Sequence, residues 1–155
     1  MRQIETTRLP YSTITVGEKL PQTDSDLTNS TPGTEPLADS EAPDPSWLIA
    51  VRAAQDKKAT DITVLDLTGV TSFTDYFVIC SGASSRQNQA IADEVRLQLK
   101  NRGEIATSVE GYDQGEWILS DYGDFLVHVF TPKAREYYSL ERLWREAKVI
   151  PVPAE

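Results

Sequence analysis

The chain has 155 residues and a formal net charge of -9, from 24 acidic and 15 basic side chains. This length suits one domain with its own core. The acidic balance argues against direct nucleic-acid binding, because contacts to phosphates need Lys and Arg, and no direct sequence-specific nucleic-acid binding is expected. No apolar run approaches the ~20 residues that cross a membrane, so no membrane partner is expected. Cys80 is the only cysteine and cannot form an intramolecular disulfide, which favours a reducing cytosol.

The first 45 residues differ in composition from the remainder. They hold six prolines, eight acidic and three basic residues, and few large apolar side chains. Such a segment buries too little apolar surface to offset the entropy lost on ordering. We therefore predict a disordered acidic tail over residues 1–45 and one α/β domain over residues 46–155.

The domain is predicted to start with a helix and two strands. Ser46 is a suitable N-cap, and Leu48, Val51, Arg52 and Gln55 follow helical spacing, so the helix is expected to run to about Lys58. The β-branched run 62–67 predicts a strand, and the nearly all-apolar run 76–81 predicts a second strand inside the sheet. Because Cys80 lies in that run, its expected role is that of a small buried hydrophobic side chain.

A long second helix follows these strands. Ser84 as N-cap and Gln87 three residues later form a capping box, and Gly103 is placed to end the helix. A third strand is expected over residues 105–109, before a hairpin. Pro132 then opens a final helical region, with an apolar side formed by Tyr137, Leu140, Leu143 and Trp144.

The predicted order of elements is therefore α-β-β-α-β-β-β-α. It corresponds to an α/β fold with a mixed five-stranded sheet and flanking helices. Pro151 and Pro153 exclude a helix at the C-terminal end of the domain.

The hairpin is the most informative segment for function. Residues 116–120 and 125–130 predict two strands, joined by a turn in which Gly123 is free to adopt a positive φ. The window 103–132 holds no Lys or Arg and six carboxylates, which are Glu104, Glu110, Asp113, Glu116, Asp121 and Asp124. An acid-only strand pair with aromatic residues favours a surface for a basic partner, and a solvated acidic face is the alternative.

The pairing of the hairpin assigns its side chains to two faces. We predict that Ser120 lies opposite Phe125. The face expected to pack beneath the helices then carries Ile118, Phe125, Val127 and Val129. The other face carries Trp117, Leu119, Leu126, His128 and Phe130. Few helices are predicted relative to the number of strands, so we expect this second face to stay open.

The candidate catalytic features have simpler alternatives. His128 is the only histidine, but its strand position favours packing or partner contact over general base chemistry. The Gly82–Ser85 turn suits either phosphate binding or plain helix capping. A nucleotidyltransferase would also need two or three carboxylates on a nearby strand to hold magnesium, and Asp66 stands alone. We predict no catalytic residue, no metal site and no cofactor.

The last helical region offers a second candidate surface. Its basic and aromatic side chains would suit nucleic acid, and they are Arg135, Tyr137, Tyr138 and Trp144. However, acidic and basic residues alternate along the same stretch, which favours a salt-bridged helix face. The alternating residues are Glu136, Glu141, Arg142, Arg145 and Glu146.

Several segments of the domain match one known family in order and spacing. They are residues 74–82 (TDYFVICSG), 85–92, 110–111, 117–130 (from WILSDYGD to VHVF) and 135–144 (REYYSLERLW). Together they resemble the ribosomal silencing factor family, also called RsfS or Iojap-like proteins. The resemblance covers essentially all of residues 47–146.

The resemblance implies a factor that binds the large ribosomal subunit through ribosomal protein number fourteen. Occupying that place blocks the small subunit from joining and represses translation. The resemblance also implies a nucleotidyltransferase-like fold without catalytic carboxylates, a possible homodimer, and a location in the cytoplasm or in an organellar stroma or matrix. The alternatives are a small nucleotide-handling enzyme on the same fold and a ribosome-assembly adaptor that binds RNA, against which the acidic charge weighs.

The acid-only hairpin fits such a basic ribosomal partner independently of the resemblance. Aromatic side chains would supply affinity, and acids would set register and association rate. The predicted contact residues are Trp117, Leu119, Asp121 and Tyr122. Those predicted at the rim or in support are Glu110, Asp113 and His128.

Overall fold

The structure, a computed structural model, describes residues 42–154. The tail predicted over residues 1–45 lies outside the described residues as far as residue 41, so its disorder stays a prediction. In chain order the elements are α1 (Ser46–Asp56), β1 (Thr60–Asp66), β2 (Tyr76–Ser81), α2 (Ser85–Asn101), β3 (Ser108–Glu110), β4 (Trp117–Asp121), β5 (Phe125–Phe130), α3 (Pro132–Tyr138), α4 (Leu140–Leu143) and β6 (Lys148–Ile150).

The described strands form one six-stranded sheet in the order β3-β4-β5-β2-β1-β6. β2 and β5 run parallel, and the other neighbouring pairs are antiparallel. The predicted mixed sheet with flanking helices is confirmed, but the prediction of five strands is wrong. Three residues beside prolines are too short to show the period-two pattern of a strand, so the sequence does not predict β6.

The sheet separates two apolar layers. β2 and β5 lie in the middle, and their residues are buried except for half-buried Tyr76. On one face, α1 and α2 pack over side chains such as Val64, Cys80 and Val127. On the other face, the segment from α3 to Ala147 covers a second layer. The expected burial of Cys80 is confirmed.

The helix ends differ from the predicted ones in detail. Pro45, not Ser46, is the N-cap of α1, since its backbone is extended and its carbonyl accepts from the Leu48 N–H at 3.0 Å. The Ser46 hydroxyl donates to the carboxylate of Glu104. At the start of α2, the predicted cap is confirmed, since Ser84 Oγ accepts from the Gln87 N–H at 3.1 Å. Gln87 Oε1 accepts from the N–H of Ala83 rather than that of Ser84, so the capping box is only half formed.

The hairpin pairing differs from the prediction by two residues. Ser120 lies opposite Val127, not Phe125, and Trp117 lies opposite Phe130. Gly123 adopts the expected positive φ, of 87°. A shift of two residues preserves which side chains share a face, and the predicted helix-side face is confirmed because its four members all belong to the core beneath α1 and α2.

The second face of the hairpin is closed, which corrects the expectation that it stays open. Leu119, His128 and Phe130 are 4%, 2% and 0% exposed. Phe73, Tyr138 and Trp144 pack against this layer. The final helical region therefore covers the face, although its two helices have only seven and four residues.

Two further elements depart from their predicted form. β3 spans three residues rather than the five expected over 105–109, and Ile105 before it is 73% exposed. In the last region, Leu140 and Trp144 pack inward as predicted, but Tyr137 and Leu143 are 80% and 58% exposed. The helix breaks at Ser139, where φ is 42°, so the single apolar stripe assumed from the sequence does not continue.

Candidate functional site

One end of the β3–β4 hairpin carries a cluster of exposed carboxylates. Glu110 ends the edge strand β3, Asp113 lies in the connecting loop, and Glu116 immediately precedes β4. All three are exposed. Among residues 42–154 there are two ion pairs, and neither involves these acids. We call Glu110, Asp113 and Glu116 the acidic edge.

Helix α2 holds the loop of the acidic edge in place. Asn88 Nδ2 donates to the Gly115 carbonyl at 2.7 Å, and Gln89 Nε2 donates to the Tyr112 carbonyl at 2.8 Å. The Tyr112 hydroxyl donates to Asp93 at 3.0 Å. These side-chain bonds fix the loop backbone, so the acids are presented from a preorganised segment.

The remaining three carboxylates of the acid-only window have other surroundings. Asp121 is buried, and its Oδ1 accepts from the Gly123 N–H at 2.8 Å within the turn. Glu104 accepts from Ser46 and ties the end of α2 to α1. Asp124 is exposed, but it lies at the turn, the other end of β4. Some carboxylates of the window 103–132 therefore stabilise the fold, and most of its exposed carboxylates belong to the acidic edge.

Two of the predicted site residues, Trp117 and His128, belong to an aromatic cluster on the face of the sheet that the final helical region covers. Trp117 is half-buried, and its Nε1–H donates to His128 Nδ1 at 3.1 Å. The Trp117 ring stacks on Phe130 with centroids 5.0 Å apart and meets Tyr138 at 4.5 Å. Trp117 and His128 are thus brought together, as the sequence predicts for facing strands, but inside the protein.

Tyr122 lies on the opposite side of the sheet from this cluster. Its ring stacks on Phe125 at 5.1 Å, in the layer beneath the helices. Burial raises the pKa of its hydroxyl, and nearby Arg96 partly opposes that rise. The seven predicted site residues therefore do not form one surface. Only Glu110 and Asp113 are exposed, Trp117 and Tyr122 are half-buried, and the others are buried.

Asn88 and Gln89, whose side-chain amides hold the loop of the acidic edge, are not among the site residues predicted from the sequence. The signal for Asn88 is a polar side chain on the apolar stripe of α2, where it is 0% exposed. It also explains the Gly82 turn, because a Cβ at Gly82 would lie 2.3 Å from Asn88 Oδ1. Close packing against Asn88, rather than an approaching phosphate, accounts for this glycine.

A cavity of about 310 Å³ lies beside the acidic edge, between α2 and the strands β3 and β4. Asp93, Arg96 and Tyr112 supply its polar lining, and Ala92, Val109 and Ser120 complete it. Within residues 42–154, no group of three or more His, Cys, Asp or Glu side chains is arranged to hold a metal ion. The cavity is thus lined by side chains of both charge signs and by no group of residues suited to binding a metal ion.

Cys80 should be inert in the native protein. Its side chain is 0% exposed, and burial raises the pKa of its thiol to about 12. The thiolate is the reactive form, so at neutral pH we expect a disulfide reagent such as DTNB to label Cys80 only as fast as the domain unfolds. Stopped-flow labelling with and without urea measures this. Rapid labelling without urea would contradict the burial.

Among the helices within residues 42–154, none combines the length and the apolar composition that a membrane span requires.

Comparison with known proteins gives consistent matches. A family model described as "Ribosomal silencing factor during starvation" matches residues 39–155. Ribosomal silencing factor RsfS from Bacillus subtilis is 46% identical over 99 residues, which cover 64% of this chain and 84% of that protein. The Mus musculus protein named "Mitochondrial assembly of ribosomal large subunit protein 1" is 35% identical, over 61% of this chain and 42% of its own length.

The fold is also similar to a solved structure. A crystal structure of a Chromobacterium violaceum protein superposes with a TM-score of 0.64 at 35% sequence identity, covering 71% of this chain and 91% of that one. The family model spans about three quarters of the chain, including all of its described helices and strands. The chain therefore belongs to the ribosomal silencing factor (RsfS) family, which supports a ribosome-associated silencing role.

Proposed function

We propose that this chain binds the large ribosomal subunit through ribosomal protein number fourteen and sterically blocks the small subunit from joining. Translation is repressed as a result. The proposal involves occupation of a surface and no chemical step, so it assigns neither catalytic residues nor a cofactor. It places the protein where ribosomes are, in the cytoplasm or in an organellar stroma or matrix. Family membership supports the ribosome as target.

The acidic edge is the observation that carries the proposal. Its three exposed carboxylates have no basic partner within the described residues, and α2 holds their loop by side-chain bonds. A basic ribosomal protein is the complementary surface. Charges at the rim of an interface mainly raise the association rate and fix the register, and a preorganised loop lowers the entropy lost on binding.

The predicted site residues divide by their exposure. We propose that the exposed Glu110 and Asp113 contact the partner directly. Trp117 and Tyr122 are half-buried on opposite sides of the sheet, and each would add only the accessible part of its ring. The buried members support the hairpin from within, and they are Leu119, Asp121 and His128. Asp121 does so by holding the turn, and His128 by accepting from Trp117.

The same contact would also serve ribosome assembly. The Mus musculus relative is named for assembly of the mitochondrial large ribosomal subunit, which supports an assembly adaptor as the second candidate function. Self-association as a homodimer belongs to the proposal as well, with sedimentation velocity as its measurement. A chain that acts only in assembly would bind immature large subunits without affecting subunit joining.

The double substitution Glu110→Gln and Asp113→Asn is expected to weaken binding to large subunits about tenfold, mostly through slower association at low salt. Co-sedimentation with purified large subunits, followed by addition of small subunits, measures both binding and joining. The matched control is Asp56→Asn with Glu136→Gln, which removes two exposed carboxylates elsewhere. Equal losses in both double variants, or no loss in either, would contradict the role of the acidic edge.

A further inference from the structure

A second exposed surface lies over the closed face of the sheet, along the segment from α3 to β6. Residues 131–150 hold five Lys or Arg and three Glu side chains, a net charge of +2. Residues 103–130 hold six carboxylates and no Lys or Arg, a net charge of -6. The two charge signs are therefore separated between the β3 end of the sheet and the segment that crosses from β5 to β6 at the other edge.

The basic side chains of this segment are not neutralised as the alternating sequence suggests. Glu141 bonds inward to Arg135, whose side chain is only 14% exposed and also donates to Ser81 Oγ at 3.0 Å. Within residues 42–154, Arg142 and Arg145 form no ion pair. The expected salt-bridged helix face is therefore wrong for these two arginines, which leave their charge exposed at the surface.

Arg142 and Arg145 line a groove of about 450 Å³ at the junction of α3 and α4. Tyr138, Ser139 and Leu143 also line the groove, and Glu146 is the one acidic residue of its lining. Two guanidinium groups, which present planar forks of N–H donors, suit phosphate oxygens.

An exposed aromatic ring contacts Tyr138, a residue of the groove lining. Tyr137 is 80% exposed, the highest value among the large hydrophobic side chains that are exposed here. Its ring meets that of Tyr138 edge to face, with centroids 4.9 Å apart at 89°, so it has an internal support. Proteins bind single-stranded nucleic acid by combining accessible aromatic rings, on which bases stack, with cations that contact the backbone. Residues 137–145 of this chain supply both kinds of group.

We propose that this groove binds the backbone of a single-stranded RNA segment through Arg142 and Arg145, while an unpaired base stacks on Tyr137. The binding does not discriminate sequence, because no base-edge contact is needed. The inference rests on the proposed function only in taking the large ribosomal subunit as the source of the RNA. The acidic edge and this groove would then contact protein and RNA at two separate places.

The probe is a fluorescein-labelled oligouridylate, and the readout is its fluorescence anisotropy with the full chain at low and at physiological ionic strength. We expect Arg142→Gln with Arg145→Gln to weaken binding at least tenfold. Two phosphate contacts on a single strand give a log–log salt slope of about -1.4, which should approach zero in the variant. The matched control, Lys57→Gln with Arg86→Gln, removes two exposed cations near the start of α2 and should retain the wild-type slope.

Tyr137 provides an independent test of the stacking contact. Tyr137→Leu should weaken oligouridylate binding about tenfold, whereas Tyr137→Phe, which retains the ring, should bind like wild type. Circular dichroism verifies that each variant is folded. No binding by the wild-type chain at low ionic strength, or equal weakening by the control pair, would overturn the inference.

A synthetic peptide of residues 1–41 is the second probe, because that segment is acidic and is a competing occupant. Peptide binding that depends on Arg142 and Arg145, without RNA binding, would overturn the RNA assignment in favour of the chain's own tail. The experiments also distinguish failure of this inference from failure of the proposed function. If the acidic-edge variant fails on large subunits while the arginine variant binds RNA normally, only the inference drawn from the groove is lost.

Discussion

Replacing Trp117 with alanine is expected to lower the free energy of unfolding by about 3 kcal/mol. The ring packs on Phe130 and Tyr138, and its Nε1–H donates to His128 Nδ1 at 3.1 Å. Truncation opens a cavity between the sheet and α3 and removes a donor from a histidine that is 2% exposed. Urea unfolding followed by circular dichroism, with an unchanged m-value, measures the loss. A difference below about 1 kcal/mol would contradict this packing.

The substitution Trp117→Phe separates support of the fold from contact with the ribosome. It retains one aromatic ring but removes the hydrogen-bond donor and part of the indole volume, so the expected cost is about 1–2 kcal/mol, less than that of the alanine variant. If Trp117 contacts the partner, as predicted from the sequence, the phenylalanine variant should lose affinity for large subunits although it is folded. If Trp117 acts only through the hairpin, its affinity should match that of the wild type.

For the β4–β5 hairpin, the sequence correctly predicts which face of the sheet each side chain occupies. Assigning Ser120 to Phe125 rather than Val127 is a two-residue error, yet Ile118, Val127 and Val129 still face the helices. Alternation along a strand has a period of two, so such an error leaves every side chain on its predicted face. Local rules such as the Ser84 cap and the positive φ of Gly123 are likewise readable from the sequence.

The closure of the second face is not predictable in the same way. It depends on two short helices with a break at Ser139, which brings Trp144 against Phe73 and Phe77. These contacts join parts of the chain that are far apart in sequence, and no periodic pattern records them. The same break explains why Glu141 turns to Arg135, six residues earlier, and leaves the neighbouring arginines unpaired.

The sequence gives the net charge of the chain but not how that charge is distributed over the surface of the fold. A chain with a net charge of -9 predicts repulsion of RNA. Once the fold places the acidic edge and the groove of Arg142 and Arg145 on different elements, each surface has its own sign. Local potentials, more than total charge, decide which partner a surface attracts. An acidic protein can therefore combine a surface for a basic protein with one for RNA.

Replacing Gly111 with alanine is expected to destabilise the domain by about 3 kcal/mol and to disturb the acidic edge. Gly111 follows Glu110 with φ +78°, and a Cβ there would lie 2.2 Å from the Trp117 carbonyl oxygen. The contact is with backbone, so β3 and β4 must move apart, beyond the roughly 1–2 kcal/mol cost of a left-handed alanine. Urea unfolding measures the change in stability, and co-sedimentation with large subunits measures binding.

Gly123→Ala is the matched control for this clash. Gly123 has φ +87°, but a Cβ there would meet nothing within 4 Å, so only the left-handed conformation contributes, at about 1 kcal/mol. The two variants should therefore differ by about 2 kcal/mol in stability. They should also differ in function, because Gly111 adjoins the acidic edge whereas Gly123 lies at the other end of β4. Subunit binding is compared under conditions where both variants are folded. Weaker binding by Gly111→Ala alone would indicate that the proposed interface includes the acidic edge. Equal binding by the two variants would indicate that the interface lies elsewhere.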